Sequence, residues 1–153
     1  MSSPGGQAYQ GPEERLPPDL LARASLRGGE YAWPLDDIPE VIEAARRANL
    51  VSIGGQLQFR FPGGGTAELY WVEVDTYKSV EKTKPWCERV DRTAEAGERD
   101  FKALRRNVDF LAAGRDGFGR YMDIEVAAGR DPLNSMCFVW YLLTEEEAKA
   151  RDL

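Results

Sequence analysis

The sequence predicts an α+β domain, an antiparallel sheet flanked by helices. Three observations carry this. A stripe of apolar residues at helical spacing, Ile38, Val41, Ile42 and Ala45, is followed directly by two stretches that alternate with period two around a glycine turn. The order helix-then-hairpin, with no repeating βαβ units, argues against a doubly wound sheet. Near the C-terminus, Ser135–Leu143 (SMCFVWYLL) is continuously apolar, as in a buried central strand. A length of 153 residues favours one domain, and a chain of that size buries about 70% of the surface its unfolded form exposes.

Each element has a local reason. Met1–Arg15 is rich in Ser, Pro, Gly and Gln and offers little to bury, so residues 1–15 are expected to form a mobile arm and 16–153 the domain. Asp19 is expected to cap a short helix, Leu20–Leu26, stopped by Gly28-Gly29. Asp37 and Glu40 have capping-box spacing, Pro39 sits in the first turn, and Arg46 and Arg47 suit the negative end of the helix dipole. Strands follow at Leu50–Ile53 and Gln56–Phe61. In the second, Leu57, Phe59 and Phe61 are expected on a buried face and Gln56, Gln58 and Arg60 on a wet one. Pro62–Gly65 makes the turn. In Ala67–Thr76 the alternation places Leu69, Trp71 and Glu73 on one face and Tyr70, Val72 and Val74 on the other, and Trp33 and Trp71 are expected in the core.

From Trp86 to Leu111 runs a long helical pattern, with Gly97 as a weak point. Gly114, Gly117 and Gly119 predict a loop, and Tyr121–Val126 a strand. Thr144 and Glu147 form a capping box for a terminal helix. No internal repeat or long heptad run is present.

Composition narrows the function. The net charge of −6 disfavours a duplex-binding surface, which relies on Lys and Arg, and suits either solubility or a basic partner. No apolar run approaches the ~20 residues of a membrane span. The first residues lack the basic and apolar regions of a secretory signal. The two cysteines, Cys87 and Cys137, are far apart, and both read as core thiols of a reduced, cytoplasmic protein. The chain has no histidine, which removes the usual acid–base catalyst at neutral pH, the Ser-His and Cys-His nucleophile pairs, and His-based zinc sites.

Candidate chemistry is sparse. Gly54-Gly55 follows a strand but lacks the Lys-Ser/Thr of a phosphate loop and the helix of a dinucleotide fingerprint, so it reads as a bulge or a tight passage between strands. Glu68, Glu73 and Asp75 could support carboxylate acid–base chemistry or hold a divalent cation; the simpler reading is a strand edge kept soluble. No catalytic residue, metal or cofactor is expected. Aromatic residues at Tyr31, Trp33, Tyr70, Trp71 and Tyr77 interleave with acids at Glu30, Asp36, Asp37, Glu73 and Asp75. Anchors ringed by polar groups are how protein interfaces concentrate affinity. The expected partner-binding set is Asp36, Asp37, Tyr70, Glu73, Asp75 and Tyr77.

Gly28–Phe59 (GGEYAWPLDDIPEVIEAARRANLVSIGGQLQF), followed by ELYWVEV, resembles a family of bacterial immunity proteins from polymorphic toxin systems. The likeness spans about residues 20–77. It rests on Trp33, the helix from Ile38 to Ala45, Ile53-Gly54-Gly55 and Tyr70-Trp71, and it departs at Gln56, where the family more often has an aspartate. The resemblance implies a small cytoplasmic α/β protein that binds and neutralises a cognate toxin, without catalysis. The alternative from the residues alone is a small-ligand-binding or carboxylate-based enzyme domain.

Overall fold

The apolar run near the C-terminus forms β5 (Met136–Leu143) and takes the middle of a five-stranded sheet. The other strands are β1 (Ser25–Arg27), β2 (Glu30–Trp33), β3 (Val51–Arg60) and β4 (Thr66–Asp75), in the order β1-β2-β5-β3-β4. Every neighbouring pair is antiparallel, as expected for the α+β class. The computed structural model describes residues 11–79 and 81–153. The helices are α1 (Pro18–Ala22), α2 (Ile38–Arg47), α3 (Trp86–Asn107), α4 (Phe110–Ala127) and α5 (Glu145–Ala150). Among the described residues no helix is long and apolar enough to cross a membrane.

The core lies between the sheet and α2 and α3. Phe138 pairs across the ladder with Trp33 on one side and Leu57 on the other. These three, with Phe59 and Trp140, are fully buried against Ile38, Val41, Ile42 and Ala45 of α2. Phe101 of α3 meets Phe138 edge-to-face at 5.0 Å. The buried indole of Trp33 donates to the Leu20 carbonyl and that of Trp140 to Ser52 Oγ, so neither carries an unmet donor into the core.

The ends of elements depart from expectation where tertiary partners compete with local signals. The arm was expected to extend to Arg15. Met1–Gln10 lie outside the described residues, but Pro12–Arg15 form a 3₁₀ turn with Pro12 and Glu13 buried, and Tyr31 Oη donates to Glu14. The first helix stops at Ala22 instead of Leu26, uncapped by Asp19, because Ser25–Arg27 pair with β2 around Gly28-Gly29. No capping box forms at Asp37: its carboxylate is taken by Arg23 at 2.7 Å. The box at Thr144 and Glu147 is present in both directions.

Gly54-Gly55 does not separate two strands. β3 runs straight through, with an irregularity in its pairing to β5 between Ser52 and Gly54. Gly54 has φ 125°, and a Cβ there would lie 2.0 Å from the Val74 carbonyl oxygen; one on Gly55 would lie 1.9 Å from that of Val139. The pair lets both neighbouring strands close in.

Gly97 does not break α3. It lets the helix lie on Trp140, whose ring would be 2.8 Å from an added Cβ. The pattern does break at Val108, which is extended, and Asp109 then caps α4 by accepting from the Ala112 amide. The expected glycine loop and the expected strand at Tyr121–Val126 are both part of α4; what the glycines produce is a kink at Phe118 (φ −139°, ψ 32°).

The β3 face expected to be wet is partly covered. Gln58 and Arg60 are buried because the β1–β2 hairpin bends across that side: Arg60 donates to the Ser25 carbonyl, and Arg27 to those of Phe61 and Gly65.

Candidate functional site

β4 is an edge strand, paired only with β3, and it breaks its own alternation. Gln56 pairs with Glu73, yet the next residue, Leu57, pairs with Leu69. One step on β3 therefore spans four on β4, and Tyr70, Trp71 and Val72 form a bulge. Leu69, Val72 and Val74 share the buried side, while Tyr70 and Trp71 both turn outward, 68% and 51% exposed. This corrects the expected faces and the expected core position of Trp71. The expected burial of Trp33 holds.

The two rings are fixed by contacts outside the strand. Tyr70 and Trp71 meet edge-to-face at 5.1 Å. Trp71 stacks on Phe118 at 6.3 Å with a 10° interplanar angle, and Phe118 contacts Tyr121 at 6.2 Å. Gly117 makes room for this stack, since a Cβ there would stand 3.0 Å from the indole. The kink of α4 thus sits where the bulge of β4 delivers its tryptophan. Tyr121 and Ile124 follow Phe118 at three-residue spacing on α4 and are exposed, while the exposed Val126 lies on another face of the helix. Beside them a 170 Å³ notch is lined by Phe61, Thr66, Ala67, Phe118 and Tyr121. Exposed aromatic residues gathered in one place differ from the single scattered apolar residues of an ordinary surface.

Of the six expected partner-binding residues, four lie together and two do not. Tyr70, Glu73 and Asp75 are on β4, and the exposed Tyr77 follows at a 3₁₀ turn, where its amide donates to Asp75 Oδ1 at 2.9 Å. Glu73 and Asp75 are exposed and make no ion pair among the described residues. Asp36 and Asp37 follow β2, three strand positions from β4 in the sheet order, or about 14 Å at the usual strand spacing. Both are already paired, Asp36 with Arg105 at 2.8 Å and Asp37 with Arg23. The single acidic patch is therefore replaced by a smaller one on the β4 edge alone.

Phe118, Tyr121, Ile124 and Val126 escape a reading of the sequence. The signal for the first three is the i, i+3 spacing from Phe118 through Tyr121 to Ile124, hidden by the surrounding glycines, and Val126 falls outside it.

Glu68 accepts from Gln56 and Gln58, each at 3.4 Å. Among the described residues no three His, Cys, Asp or Glu side chains gather closely enough to hold a metal ion. Cys137 is buried and its thiol is pushed up to about 11 by burial, which keeps it in the unreactive form. Cys87, expected in the core, is exposed: Trp86 beside it takes the buried side of α3 and donates to the Asn49 carbonyl. Compared with models of protein families, with curated proteins and with solved structures, the chain gives no match.

Proposed function

We propose that this chain is a non-enzymatic binding protein of the toxin-immunity kind, which neutralises a cognate, basic toxin domain by docking it on the aromatic edge formed by β4 and α4. The observation that carries the reading is the bulge that turns Tyr70 and Trp71 outward together, backed by Phe118. Pre-stacked rings lose little rotamer freedom on binding, which is what an anchor needs. The bulge also interrupts the row of free backbone groups along the edge, so this surface offers side chains in preference to a template for strand addition. Glu73 and Asp75 at its border supply the charge that would steer a basic partner. The resemblance through Trp33, Gly54-Gly55 and Tyr70-Trp71 points the same way.

The test is protection. If a toxin domain is encoded next to this gene, as the reading requires, cells producing it should survive with the wild-type chain and die with a Tyr70→Ala/Trp71→Ala variant that remains folded. Survival with that variant, or a neighbouring toxin that the wild-type chain does not relieve, would overturn the proposal.

A further inference from the structure

On the side of the sheet away from the helices, the bent β1–β2 hairpin borders an open cavity of 370 Å³ lined by Arg27, Glu30, Gln58, Arg60, Thr66 and Glu68. Alternation puts Gln58 and Arg60 of β3 here, opposite to Leu57 and Phe59, and the ladder sets Glu68 across from Gln58. Two positive and two negative side chains thus line one small space.

Each charge is held by neutral groups instead of by its opposite. Arg60 Nη1 donates to the Ser25 carbonyl at 2.7 Å and its Nε to Gln58 Oε1 at 2.9 Å. Arg27 uses both terminal nitrogens on the Phe61 and Gly65 carbonyls and Thr66 Oγ1. Glu30 accepts from Tyr141 Oη at 3.0 Å, and Glu68 from the two glutamines. Among the described residues none of these four charges makes an ion pair, although such pairs close elsewhere, as between Glu125 and Arg130 at 2.7 Å. Burial holds the Arg60 guanidinium below its ordinary value, with Arg27 adding to the effect. Burial and the nearby Glu30 and Glu68 push the Tyr141 hydroxyl up. Arg60 thus forms the buried floor of the site, with Tyr141 half-buried beside it, and Glu68 stands at its exposed rim.

We propose that this cavity binds a zwitterion of α-amino-acid size, its carboxylate received by Arg27 and Arg60 and its ammonium by Glu30 and Glu68. Arg60 Nη2 and Arg27 Nε have no acceptor among the described residues, and each carboxylate keeps one oxygen without a donor there. A simple anion would meet the two glutamates and a simple cation the two arginines; only a ligand with both signs complements the whole lining. The volume lies near the lower end of small-molecule sites, which excludes large ligands. This inference is independent of the partner surface on β4 and α4.

The experiment is a titration of the ¹⁵N-labelled chain with each of the twenty standard amino acids, read by amide shifts. At least one should shift the Gln58, Arg60 and Thr66 amides saturably and raise the melting temperature, as a ligand of the native state must. Its methyl ester, lacking the carboxylate charge, and its N-acetyl derivative, lacking the ammonium, should each bind at least about tenfold more weakly. Glu68→Gln should weaken the parent more than the N-acetyl derivative. The proposal is overturned if no amino acid shifts these amides at about 10 mM, a limit that detects millimolar affinity. It is equally overturned if both derivatives bind as well as the parent, or if Glu68→Gln and Arg27→Lys leave binding unchanged. Should Arg27→Lys fail to fold, Glu68→Gln decides, because the Glu68 side chain is exposed.

Discussion

Tyr70 and Trp71 show how little a single residue's burial need follow from its type. Both are large and apolar, and both stand outside the core. Tyr70→Ala should leave stability within about 0.5 kcal/mol of wild type, as for an exposed side chain. Trp71→Ala should cost about 1 kcal/mol, since it breaks a ring stack but no core packing. Equilibrium denaturation measures both; a loss above about 3 kcal/mol for either would place the ring in the core. Gly54→Ala should behave oppositely. Its Cβ would collide with the Val74 backbone at a positive φ, so the strands must part or the chain must not fold. Thiol labelling gives an independent check on the residue scale. Cys87 should react in the native state at pH 8, and Cys137 only after unfolding.

Among the elements, α2, β5 and α5 were legible because one local pattern decides each: a 3.6-residue stripe, an unbroken apolar run, a capping box. The β3–β4 hairpin was legible for the same reason, but its bulge was not. Tyr70, Trp71 and Val72 continue an acceptable alternation, and only the pairing partner on β3 reveals that they do not fit it. α4 was lost because three glycines outweigh Ala112, Ala113 and the Asp109 cap in any local reading, whereas packing of Phe110 and Met122 restores the helix. Half of the candidate site lies on that helix, so the aromatic edge was legible only on its strand side. The end of α4 is also pH-sensitive. Gly129 and Arg130 close it through bonds to the Val126 and Glu125 carbonyls, and the Arg130 side chain grips the Glu125 carboxylate. That hydrogen bond holds Glu125 below the usual carboxylate range. Its folded pKa is depressed, so its contribution is full above the unfolded value of about 4.3 and fades as pH falls through the folded value. Glu125→Gln should therefore be less stable than wild type at pH 7, and the gap should narrow below about pH 4. A gap independent of pH would show that the ion pair contributes nothing.

At the scale of the whole molecule, helices cover one side of a curled sheet, the aromatic edge borders the core through Phe118, and the charged cavity lies on the other side of the sheet. The aromatic edge occupies β4 and α4; the charged cavity lies under the β1–β2 hairpin. The packed turn at Pro12–Arg15 joins the fold through Pro12, Glu13 and Glu14. Deleting residues 1–15 should lower the melting temperature by several degrees more than deleting 1–10, since about 1 kcal/mol of lost contacts moves a domain of this size by about 2–4 °C. Equal melting temperatures for the two truncations would show that the turn adds no stability. The most direct measurement of the central claim is the kinetics of binding to the cognate toxin domain that the proposed function requires, at low and high salt. Charge reversal at Glu73 and Asp75 should slow association and reduce its salt dependence, because steering charges act on the on-rate. Trp71→Ala should instead speed dissociation by at least about 25-fold, the equivalent of a 2 kcal/mol anchor. If both folded variants bind and release the toxin at wild-type rates, the β4–α4 edge is not the interface.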